Sequence, residues 1–151
     1  MEKTFSQSEL EAISAALADT SAGLTGSEIG HILTTLNFTD PTPTLTKWKR
    51  LHNAFIVRQN KSQNRRAIVQ FIREAMKPER YARQPERFEP MRANLNRALA
   101  FSGIAVSAGG ELSFFASVET LTEARHGAHE LSVDLTCRGQ NLWPRAFLLL
   151  I

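Results

Sequence analysis

Apolar residues recur at helical spacing along most of this chain, and each run of them predicts one helix face turned toward a common interior. Leu10, Ile13, Ala16 and Leu17 form the first such run, which closes in the "TSAG" near Gly23. Ile29, Ile32, Leu33 and Leu36 form a second, shorter one. Leu45, Trp48, Leu51 and Phe55 predict a third helix from about Leu45, and Ile68, Phe71, Ile72 and Met76 a fourth that Pro78 ends. Between those two, "RQNKSQN" reads as a polar break. Phe88, Met91, Leu95 and Leu99 predict a fifth helix with Pro85 near its first turn and a left-handed cap at Gly103. A sixth is expected from Leu121 to about Arg138. Three of the starts share one device, a Ser or Thr followed three residues later by Glu, so that each side chain satisfies the other residue's backbone N–H. These pairs are Ser6/Glu9, Thr25/Glu28 and Thr120/Glu123.

The intervals are equally informative. "NFTDPTPT" carries two prolines, which remove backbone donors and disfavour helix before them, and so predicts a loop. In "GIAVSAGGELSFF" the period changes from helical to alternating around Gly109 and Gly110, which predicts a β-hairpin near 104–115. The expected fold is mainly α: a compact bundle of about six helices with one small β-hairpin, forming a single domain over residues 1–139. Residues 140–151 form an apolar tail. With Trp143, Phe147 and Leu148 to Ile151, this tail is expected to dock on the core, to pair with a second copy as a homodimer, or to be the truncated start of a longer continuation.

A length of 151 residues suits one domain, and 42% apolar with 22% charged residues is an ordinary globular balance. The single cysteine, Cys137, excludes an internal disulfide framework and an all-cysteine zinc site. No stretch of 18 apolar residues and no basic start followed by an apolar core occurs. A cytoplasmic protein with no membrane association is expected.

Charge changes the picture more than composition does. The net charge is +3, yet residues 47–97 hold fourteen Lys or Arg against Glu74, Glu79, Glu86 and Glu89, a local +10, and the rest of the chain is left at −7. Such segregation suits an acidic partner or contact between the two parts. The candidate anion or nucleic-acid ligands are Lys47, Lys49, Arg50, Arg58, Lys61, Arg65, Arg66 and Arg73. His52, Asn53, Gln59 and Asn60 are hydrogen-bonding neighbours. Trp48 falls on the apolar stripe and is expected in the core, whereas Lys47, Lys49 and Arg50 are expected to face solvent or a DNA or RNA partner. The second and third helices resemble a loose helix-turn-helix, but the connection over residues 37–44 is longer than that motif's turn.

Catalytic chemistry finds little support in the chain. His126 and His129 lie one turn apart but lack a suitable third ligand nearby, so no metal is expected there. No phosphate-cradling loop and no recognisable nucleophile motif is present, and no cofactor is called for.

"LTGSEIGHIL", "DPTPTLTKWKRLHNAF", "NRALAFSGI" and "ETLTEARH" together resemble the N-terminal domain of AbiJ-like abortive-infection proteins, which also occurs in Ymh-type bacterial proteins. The resemblance covers roughly residues 24–126 and is most specific at Gly26, Glu28, Ile29, Asp40, Pro41 and the block Lys47, Trp48, Lys49, Arg50, Leu51. It implies a non-enzymatic sensor or adaptor domain in antiphage defence, partnered by a C-terminal effector domain or a separate protein. The chain departs from that pattern at "CRGQNLWPRAFLLLI", where the family continues into a further domain.

Overall fold

The computed structural model describes residues 3–115. The expected helix over 121–138, the Thr120/Glu123 cap, His126, His129, Cys137 and the apolar tail lie outside them. Five α-helices are described: α1 (Gln7–Leu17), α2 (Gly26–Thr35), α3 (Lys47–Ser62), α4 (Arg66–Ala75) and α5 (Phe88–Leu99). Short 3-10 turns flank α5, and one antiparallel pair, β1 (Ile104–Val106) and β2 (Leu112–Phe114), follows. The fold is mainly helical with one small sheet.

Both capping boxes within the described residues form. Ser6 Oγ accepts from the Glu9 N–H while the Glu9 carboxylate accepts from the Ser6 N–H, and Thr25 and Glu28 repeat the arrangement at α2. Two boundaries differ from expectation. α3 begins at Lys47 rather than Leu45, which is 44% exposed, because the loop's own turn persists through a bond from the Leu45 N–H to the Thr42 carbonyl. α3 also runs straight through most of "RQNKSQN" and stops only where Gln63 turns left-handed at φ 59°. The polar residues there mark an outer surface and a cap, not a break. Gly103 ends the α5 region at φ 73°, as its sequence position predicts.

α1 packs against both α3 and α5, and these three helices with α2 and α4 enclose one core. At its centre three phenylalanine rings meet. Phe55 of α3 stands edge-on to Phe71 of α4 at 5.1 Å, and Phe38, from the segment after α2, lies 6.1 Å from Phe55 and 5.9 Å from Phe71. Such tilted and edge-to-face pairs add to the area term of burial.

The hairpin departs from simple alternation. All three residues of β1 are buried, whereas β2 is exposed apart from half-buried Leu112. β1 lies against α5 and β2 forms the outer edge. Ile104 pairs with Phe114 and Val106 with Leu112, leaving a loop over residues 107–111. Gly110 sits in it at φ +83°, and a Cβ there would come within 2.4 Å of the Met76 carbonyl oxygen, so no other residue fits.

Two buried amides complete the fold. Gln59 of α3 accepts from the Phe5 N–H and donates to the Phe5 carbonyl, both at 2.9 Å. Asn96 of α5 accepts from the Val106 N–H at 2.7 Å and donates to the Val106 carbonyl at 3.0 Å. Each side chain thereby acts as a one-residue strand partner and satisfies backbone that would otherwise be buried without a bond.

Candidate functional site

Two of the three residues that carry both the charge signal and the sequence resemblance, Lys47 and Arg50, reach back toward the start of α2. Lys47 opens α3 and points back into the fold, where its Nζ donates to the Leu24 carbonyl at 2.9 Å and the Asp19 carbonyl at 3.1 Å. These carbonyls belong to the α1–α2 connection. Arg50, nearly one turn later, donates from Nε and Nη2 to Asp40 Oδ2 at 3.0 and 2.8 Å and from Nη1 to the Gly26 carbonyl at 3.1 Å. Gly26 and Gly30, one α2 turn apart, leave the room this guanidinium occupies: a Cβ on Gly30 would sit 3.0 Å from Nη2. Glu28 closes its capping box and at the same time receives Arg87 at 2.8 and 3.1 Å, while Arg87 also donates to the Gly23 carbonyl at 3.1 Å and covers the Tyr81 ring.

Lys47 and Arg50 therefore face inward, contrary to the expectation that they point at solvent. A long cation on a half-buried helix face finds carbonyl and carboxylate acceptors on neighbouring elements closer than water. Trp48 is half-buried against the core beside His52, with Lys49 Nζ 5.9 Å from its ring. The hydrogen-bonding neighbours are drawn in as well. His52 is buried, Gln59 holds Phe5, and Asn53 donates to Thr42 Oγ1 at 3.1 Å. Arg58 donates to the Asn37 carbonyl at 3.0 Å and lies over Phe38. Arg65 donates to the Ser102 carbonyl at 3.3 Å between the rings of Phe5 and Phe114. Of the eight candidate cations, Lys49, Lys61, Arg66 and Arg73 are exposed.

Several polar residues that sequence reasoning passed over are structurally central. Arg92 is 5% exposed and holds both the Glu89 carboxylate and the Val106 carbonyl. Arg87 pins α2 to the segment before α5. Pro85 opens the 3-10 turn that ends at Arg87 and sets its direction. Gln59, expected to hydrogen-bond beside the basic segment, instead holds the Phe5 backbone, and for Asn96 the sequence carries no signal.

The electrostatics follow from these pairs. The hydrogen bond from Arg87 holds the Glu28 carboxyl below its ordinary 4.5 and raises Arg87 in return. A hydrogen bond from Lys77 lowers the Glu74 carboxyl, and one from Arg92 lowers that of Glu89. A carboxyl lowered on folding contributes stability that is fully present above its unfolded value and is lost as pH falls through its folded value. Glu28→Gln should therefore destabilise the protein near neutrality, with the difference from the native chain closing below about pH 4. Urea unfolding from pH 7 to pH 3 measures it, and a constant gap would assign the effect to packing instead.

Tyr81 gives the alkaline counterpart. Its hydroxyl donates to the Ala75 carbonyl at 2.6 Å in a buried site, and burial pushes the phenol up to about 12. It is the only tyrosine in the chain, so phenolate absorbance reports it alone. The folded protein should show no phenolate at pH 10, the ordinary value, and stability should fall as pH rises from 10 toward 12. Ionisation near pH 10 with the fold intact would contradict the buried hydrogen bond.

Among the described residues no group of three or more His, Cys, Asp or Glu could hold a metal ion, and no helix is long and apolar enough to cross a membrane. Comparison of the chain with known protein families, with curated proteins and with solved structures finds no match.

Proposed function

We propose that this chain is a non-enzymatic sensor or adaptor domain of a bacterial antiphage protein of the abortive-infection type. It works in the cytoplasm with a C-terminal effector domain or a separate effector protein. The observation that supports this reading is where the resemblance-bearing residues sit. Glu28, Asp40, Lys47 and Arg50 hold backbone, one another or Arg87 around the start of α2, an arrangement that suits a folding latch rather than groups poised for a reaction. A module recognised by its latch is a scaffold, and its specificity lies on its outer surfaces.

The test has two arms. The chain, expressed in a bacterial host with its flanking coding sequence, should lower phage plating, and deletion of this chain alone should restore it. Purified chain assayed for nuclease and hydrolase turnover should show none; turnover that disappears on a single point substitution would sink the proposal.

A further inference from the structure

The hairpin presents an open strand edge. Antiparallel partners alternate between pairs that exchange hydrogen bonds and pairs whose N–H and C=O groups point away from each other. The Phe115 N–H donates to the Gly103 carbonyl at 2.8 Å and the Ser107 N–H to the Glu111 carbonyl at 2.7 Å, so these two pairs, with Ala105 and Ser113 between them, are the bonded ones. The N–H and C=O groups of Val106, Leu112 and Phe114 therefore face away from the partner strand. On β1, Asn96 and Arg92 close those of Val106. On β2, those of Leu112 and Phe114 have no hydrogen-bond partner among the described residues.

This edge also lacks the guards that keep strands apart. Natural edge strands carry lysine, proline or a bulge, because an unguarded row of donors and acceptors pairs with another strand. From Leu112 to Phe115 there is no charge and no proline, and Phe114 and Phe115 are 55% and 42% exposed. The strand is moreover its own complement. Two copies of β2 set antiparallel about a two-fold axis at Ser113 bring Leu112 opposite the partner's Phe114, and Phe114 opposite the partner's Leu112. Both pairs are of the bonded type, so four N–H to C=O bonds close across the axis. Phe114 stands diagonal to the partner's Phe114, within reach of aromatic contact. Glu111, the only charged residue from Ser107 to Phe115, falls opposite the partner's Phe115, so no like charges meet.

We propose that the outer edge of β2 is a self-association site, through which two copies of this chain join their hairpins into one four-stranded antiparallel sheet. The inference rests on β2 alone and stands whether or not the adaptor reading holds. A contact of a few residues a side buries less than the about 1,200 Å² of a standard stable interface, so the dimer dissociates on dilution.

The test is sedimentation equilibrium of the full chain under reducing conditions, from about 5 to about 500 µM, where the mass should rise from one chain toward two. Phe114→Pro removes an outward donor and leaves the bonds to β1 in place, because the Phe114 N–H makes none of them. It should weaken the dimer at least about thirtyfold, since two symmetry-related bonds are lost. Phe114→Val keeps the donor and a β-forming apolar side chain and should weaken it no more than about fivefold. Ser113 is exposed and meets the partner's Ser113 at the axis. Ser113→Lys and Ser113→Glu should each weaken the dimer about threefold alone and restore it when mixed. Thermal melts establish that the variants are folded, and if Phe114→Pro does not fold, the Ser113 pair decides. A single-chain mass at every concentration would overturn the proposal. So would a dimer that Phe114→Pro leaves intact, equal losses in Phe114→Pro and Phe114→Val, or a Ser113→Lys and Ser113→Glu mixture no stronger than either variant alone.

Discussion

Phe55→Ala should lower the unfolding free energy by about 3–5 kcal/mol, the largest single-residue effect expected at this core. Phe55 is fully buried and its ring is the shared neighbour of Phe38 and Phe71. Alanine removes the transfer energy of the ring, the edge-to-face contacts and the filling of the space between α3, α4 and the segment after α2. A domain of this size has a total stability of roughly 5–15 kcal/mol, so the variant is expected to sit near the edge of folding. Urea denaturation with an unchanged slope and a sharply lowered midpoint measures the loss. A change below about 1 kcal/mol would place the ring outside a well-packed core.

Asn96→Leu should cost about 2–4 kcal/mol although it replaces a polar side chain with an apolar one of similar shape. The substitution leaves the Val106 N–H buried with no partner and takes away one of the two donors on the Val106 carbonyl, the other being Arg92. Asn94→Leu supplies the contrast. Asn94 lies two residues earlier on the same helix, half-buried and bonded to exposed Arg97, and its replacement should change stability by no more than about 0.5 kcal/mol. The same exchange at neighbouring positions thus separates a side chain that completes β1 from one that decorates a surface. Equal effects at the two sites would mean that the amide clamp contributes nothing.

These two residues also show where legibility ended. Gln59 groups in sequence with Asn60 as a hydrogen-bonding neighbour of the basic segment, and Asn96 carries no motif that sets it apart from Asn94. Their burial depends on backbone arriving from elsewhere, fifty-four residues away for Gln59. The hairpin illustrates the same limit in milder form. Its turn was legible from Gly109 and Gly110, but the full burial of β1 required α5 on its far side.

The placement of the basic residues was decided by the same kind of contact. Eight cations were equivalent as sequence. Lys47 and Arg50 fall on a different side of α3 from Lys49 and meet acceptors on distant elements there, whereas Lys49, Lys61, Arg66 and Arg73 are exposed.

By itself the sequence determined the features whose interactions close within three or four residues. The two described capping boxes each span three residues, the apolar stripes of α1, α2, α4 and α5 repeat every turn, and Gly103 ends its segment through its own backbone freedom. Tertiary structure alone decided the roles of the long polar side chains. Arg50 finds acceptors 10 and 24 residues away, and Arg87 finds its own 59 and 64 residues away. A local pattern encodes only what lies within reach of a helical turn, whereas a flexible cation or amide takes whichever acceptor the assembled fold brings within hydrogen-bonding distance.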